Sequence, residues 1–264
     1  MLKAILYYIL FLAEYLSTIF LGGFLVGLYM ALNIPSGSHS QQIGALEESI
    51  YPFMFVIGFL GIFIVWFTFG HYKFSRFSLG KVIPAAKWKA MTICTMPILG
   101  FTMVFYSTMN LFHLDFLPKQ MMEISYLGFL PYNIIGSFIS AYIFFGAIQE
   151  ELIRCGKKRW VQLLTLSIMM LPACMMSVTT SGDINVDLTV LGFISLCYCS
   201  WIYGKTRSTI ILIVLYFISS LVPFHFESKV LGILLLIAGT ALTIGGFAAL
   251  SRKLPEMLVK DEDE

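Results

Sequence analysis

The stretch "AIQEELIRCGKKRW" (residues 147–160) joins two long apolar runs through a cluster of ionisable side chains. Residues 128–149 before it and 160–179 after it contain no Asp, Glu, Lys or Arg. A run of ~20 apolar residues is the length of a helix that crosses a bilayer. The stretch therefore reads as the polar end of one span and the start of the next. Lys157, Lys158 and Arg159 place that end on the cytoplasmic side, where basic residues accumulate.

The rest of the chain follows the same pattern. Of its 264 residues, 58% are hydrophobic and only 12% charged, with a mean hydropathy of +0.85. A water-soluble domain cannot hide that much apolar surface, so the expected solvent is a bilayer. Eight spans are expected, at about 4–32, 51–70, 91–111, 128–149, 160–179, 187–204, 208–224 and 229–250. The runs are continuously apolar and lack the alternation of barrel strands, which predicts an all-α polytopic membrane protein. The first run is too long for a signal-peptide core and is expected to remain as a helix. Residues 1–264 are read as one integral membrane domain, ending in a short acidic tail, "VKDEDE" (259–264).

Charge tests the eight-span reading. Fifteen of the 17 lysines and arginines fall on one side of it, in the segments 3, 73–89, 154–159, 205–207 and 252–260. Only Lys119 and Lys229 fall on the other. Both termini are accordingly expected in the cytoplasm. The opposite loops, such as "NIPSGSHSQQIGALEES" (33–49), carry no basic residue. No inverted repeat with paired broken helices of the transporter type is visible.

Ionisable groups inside spans are costly and point to function. Glu14 lies in span 1, where it reads either as a proton- or substrate-handling carboxylate or as a hydrogen-bonded group facing a neighbouring helix. Glu150, Glu151 and Arg154 lie at the end of span 4. The four histidines (His39, His71, His113 and His225) fall in loops or at span ends. The five cysteines read as small apolar fillers, without the spacing of a zinc site. Gly23 with Gly27, and Ala241 with Gly245, allow close helix approach within the chain or in a homodimer.

Within the opening stretch, Glu150 and Arg154 are four residues apart, share a helix face and are expected to pair. Glu151 is turned ~100° away from Glu150. On these residues alone the pair reads as a salt-bridged helix end. "QEELIR" (149–154), at the end of the fourth of eight spans, also resembles the first motif of the CPBP or Abi family, Glu-Glu-x-x-x-Arg. That family includes type II CAAX-processing proteases. "SWIYGKTRSTIILIVLYFISSLV" (200–222) is similar to a second family stretch, with Thr206 and Ser208 matching its Thr-x-Ser element. The resemblance covers about residues 128–222.

The resemblance implies intramembrane proteolysis in a bacterial cytoplasmic membrane. A glutamate and a histidine would activate water, and a later histidine and asparagine would stabilise the oxyanion. This chain departs from that set. Gln149 stands at the base position, and an amide does not accept a proton at useful pH. Cys174 falls at the activating-histidine position, and span 5 contains no histidine. Tyr216 and Ser220 fall at the histidine and asparagine positions of the later helix.

The expected function is therefore that of a catalytically degenerate member, a scaffold, chaperone or regulator that binds a membrane or lipid-anchored protein, or lipid. Two alternatives stay open: an active endopeptidase that uses Glu150, assisted by Cys174, Tyr216 or Ser220, and a transporter with Glu14 as its coupling residue. No metal, other cofactor or nucleic-acid partner is expected, since too few ligands converge near Glu150 to hold zinc.

Overall fold

A computed structural model describes residues 2–33, 80–112, 134, 137–138, 141–176, 186–221 and 228–260. Among the described residues every regular element is helical, apart from one antiparallel bridge between Val82 and Leu258. The chain is all-α, as the apolar runs imply. The elements are α1 (Leu2–Asn33), a 3₁₀ turn (Pro84–Ala86), α2 (Lys87–Leu111), α3 (π-helical Ala141–Gln149 continuing as α-helical Glu150–Arg154), α4 (Arg159–Met176), α5 (Val186–Thr206), α6 (Thr209–Ser220) and α7 (Lys229–Met257). Each of the seven described helices overlaps one of the expected apolar runs, whereas the 3₁₀ turn lies before the run at 91–111. The expected span at 51–70, all four histidines and the acidic residues 261–264 lie outside the described residues.

Local chemistry sets the helix ends. Gly156, with φ of +64°, ends α3 in a left-handed cap. The Lys157 amide donates to the Leu152 carbonyl at 3.0 Å and the Gly156 amide to Ile153 at 2.9 Å, which satisfies the last turn. No atom approaches where a Gly156 Cβ would sit, so its backbone freedom, and not its size, is the requirement. Ser208 and Ser228 cap α6 and α7 by accepting from the amides of Ile211 (3.4 Å) and Leu231 (3.3 Å).

α3 is the centre of the bundle. All nine residues of its π-helical part are buried, and it is packed by α1, α4, α5 and α6. A helix that is apolar all round has no polar face to turn outward, and this one is enclosed. The sequence marks this run only as helical, and the structure gives its helix type. The π-helix departs from the regular i→i+4 ladder, as helices do at functional or strained positions, and regular α geometry resumes at Glu150.

The second layer is the α2–α7 pair. A Cβ at Gly100 would lie 2.5 Å from the Gly239 carbonyl oxygen, and one at Gly246 would lie 2.8 Å from Pro97. The two backbones touch at glycine, where no side chain holds them apart. The small-residue pairs singled out in the sequence behave differently. Gly23, Gly27, Ala241 and Gly245 are exposed, with no atom near a Cβ built at any of the three glycines. Ala241 is two residues from Gly239, about 200° around the helix, so the contact with α2 uses a different face of α7 from the one this motif lines.

Among the described residues two helices are long and apolar enough to cross a membrane by length and composition, Pro84–Leu111 and Lys229–Met257. The surfaces of α1 and α7 carry large exposed apolar side chains, including Phe20, Phe24, Leu32, Ile237 and Ile244. Contiguous apolar exposure of this kind suits contact with lipid.

The basic segments meet at one end of the bundle. The Lys81 amide donates to the Thr206 carbonyl at 3.0 Å, and the Ile83 amide to Met257 at 2.9 Å. The Val259 amide returns to the Lys81 carbonyl. These bonds clamp the start of α2 against the ends of α5 and α7. Gly80, with φ of +61°, allows the clamp, because a Cβ there would collide with the Thr206 and Arg207 backbone.

Candidate functional site

The π-helical part of α3 delivers Gln149 into the protein interior, where it is 1% exposed. Its Nε2 donates to the Ser200 backbone carbonyl at 2.9 Å and to the Gln162 Oε1 at 3.3 Å. The orientation of both amides is fixed. Gln162 uses its own Nε2 on the Lys157 carbonyl at 2.8 Å, so its oxygen is the atom left to face Gln149. The Ser200 carbonyl is an acceptor whatever the side chains do. Position 149 therefore faces two acceptors, an arrangement that suits a donor amide and opposes a carboxylate.

The next residue points into a different network. Glu150 Oε2 accepts from Arg207 Nη1 at 2.6 Å and from the Tyr203 hydroxyl at 3.0 Å, while its Oε1 accepts from Arg154 Nε at 3.2 Å. The Glu150 side chain is 15% exposed, Arg207 26% and Arg154 53%. Within this network the tighter and drier partner is Arg207, not the Arg154 expected from helical spacing. The bond ties α3 to the α5–α6 junction, where Arg207 holds a left-handed φ of +51°. An arginine pays strain for that conformation, and the ion pair with Glu150 is positioned to offset it.

The family-site positions are only partly brought together. Tyr216 on α6 packs its ring 6.4 Å from that of Phe145, four residues before Gln149, and its hydroxyl pairs with the buried Cys199 thiol. It forms part of the wall around α3 and is not joined by any described bond to Gln149 or Glu150. The side chains of Glu14, Cys174 and Ser220 lie outside the described residues. Thr206 and Ser208 have local duties. Thr206 Oγ1 donates to the Ile202 carbonyl at 2.9 Å, and Ser208 caps α6.

Sequence reasoning missed Arg207, Tyr203, Gln162 and Ser200. Arg207 had a signal, being a basic residue inside the short loop similar to a family stretch. Gln162 also had one, as the single amide in the expected span 160–179. Nothing in the sequence marks Ser200, which contributes a backbone carbonyl.

Chemically, the arrangement holds a carboxylate whose oxygens are occupied by two guanidinium groups and a phenol. Beside it lies an amide that cannot serve as a base. Among the described residues no group of three or more His, Cys, Asp or Glu side chains converges in a way that could hold a metal ion. No protein-family model, curated protein or solved structure matches this chain.

Proposed function

We propose that this chain is a polytopic membrane protein with about eight spans and cytoplasmic termini, and that it is a catalytically degenerate relative of the CPBP or Abi family. It acts by binding a membrane or lipid-anchored protein, as a scaffold, chaperone or regulator, and not by cleaving peptide bonds. The observation that carries this reading is the setting of Gln149. Both acceptors around it select a donor, so its surroundings suit the amide nitrogen and not a general base, while its Oε1 is buried without a partner among the described residues. Glu150 supports the same reading, because a carboxylate engaged with Arg207, Arg154 and Tyr203 would have to abandon those bonds to activate water.

The test is direct. Purified protein incubated with a library of membrane peptides should yield no new peptide termini. The Gln149→Glu variant should yield none either, since a carboxyl group between two acceptors takes up a proton in order to donate. Turnover that is abolished by Glu150→Ala and retained in Glu14→Ala would overturn the proposal in favour of proteolysis.

A further inference from the structure

Among the described residues, the basic end of the bundle carries more positive charge than its own acids use. Lys87, Lys89, Lys158, Lys205, Arg252 and Lys253 are all exposed and form no ion pair among the described residues. They come from four elements that the fold draws to one end: the start of α2, the start of α4, and the ends of α5 and α7. The joins are the Lys81–Thr206 and Ile83–Met257 backbone bonds, and the donation from Arg159 Nη2 to the Trp201 carbonyl at 3.4 Å. Glu150, the best-placed acid, is already held by Arg207 and Arg154. Glu151 and Glu256 are the other acids on the described part of this end.

Two tryptophans stand among these cations. Trp88 lies between Lys87 and Lys89 and is 81% exposed; Trp160 follows Arg159 and is 63% exposed. An indole left that open in water is unfavourable, but at the headgroup level of a bilayer its ring is buried and its N–H hydrated. Exposed indoles and unpaired cations on the same end, at the edge of an apolar surface, describe one depth in a membrane.

We propose that this collar binds the phosphate headgroups of anionic phospholipids, and that Trp88 and Trp160 sit at the acyl-chain boundary beneath them. The inference rests on the membrane-spanning reading and adds the lipid class that the chain selects. Each cation near an anionic surface contributes about a fivefold gain in association, screened by salt.

The experiment uses full-length protein with Trp66→Phe and Trp201→Phe, so that only Trp88 and Trp160 report. It is reconstituted with phosphatidylcholine or phosphatidylglycerol brominated on the acyl chains. Fluorescence quenching should favour the anionic lipid by about fivefold or more. The preference should collapse toward unity at high salt and in the variant Lys87→Gln, Lys89→Gln, Lys158→Gln, Arg252→Gln. The salt titration needs no charge substitution, so it holds the test open if that variant fails to fold. Equal quenching by the two lipids overturns the proposal while leaving the membrane reading intact. Loss of the preference on adding millimolar inorganic phosphate at constant ionic strength also overturns it, by assigning the collar to free anions. Absence of quenching by either lipid overturns both readings.

Discussion

At the scale of single residues, the site is decided by what each polar atom faces. Gln149 is buried and donates twice, so Gln149→Leu leaves the Ser200 carbonyl without its side-chain donor and should cost about 1–3 kcal/mol. Gln149→Glu should cost at least as much. Thermal unfolding in detergent would measure both, and an unaltered midpoint in Gln149→Leu would remove the basis for the donor argument. Ser200 offers the opposite case. Its hydroxyl is buried and has no partner among the described residues, so Ser200→Ala removes a desolvated group without breaking a described bond. Its stability should stay within about 0.5 kcal/mol of the parent or rise. Of these residues, the sequence alone shows Gln149 as a non-base and Glu150 with Arg154 as a pair, because those statements need only side-chain chemistry and helical spacing. It does not show Arg207 and Tyr203, which reach Glu150 across 57 and 53 positions of chain.

At the scale of elements, the Glu150–Arg207 ion pair fastens the α3 end to the α5–α6 junction, while Arg154 pairs with the same carboxylate from within α3. Arg207→Ala should destabilise by about 2–3 kcal/mol, since it leaves a largely buried carboxylate short of its closest cation. Arg154→Ala should cost no more than about 1 kcal/mol, because that side chain is half exposed. Arg207→Gly loses the same ion pair but relieves the positive φ, so it should be about 1 kcal/mol milder than the alanine variant. Comparing the three unfolding midpoints checks the ordering. The α2–α7 contact gives a second comparison. Gly246→Leu drives a side chain into Pro97 and should lower stability by 1–3 kcal/mol or more, whereas Gly245→Leu, one residue away on an open face, should be tolerated. Apolarity and helix type were legible for α7 from its residues; the buried face was not. Small residues line more than one face of this helix, and only the position of α2 selects between them.

At the scale of the whole molecule, the charge pattern and the contacts bear on the same end. Basic segments that are distant in sequence are joined there by backbone bonds from Lys81, Ile83 and Val259. If that end is cytoplasmic, Cys155, which is exposed beside it, should react with a membrane-impermeant maleimide only after the membrane is opened. In the same experiment a cysteine introduced by Ser36→Cys should react from outside in intact cells. Labelling of Cys155 from outside would reverse the orientation. The sequence by itself determined the helical class and, among the described residues, where the helices fall and the end at which charge collects. Those properties follow from local composition, since helical periodicity and runs of apolar or basic residues are local features. Only the tertiary structure decided that Arg207 is the closer cation of Glu150, that Gln149 is held by acceptors, and which glycines touch. Each of these depends on which atoms of distant segments come within a few ångströms of one another, and no local pattern encodes that.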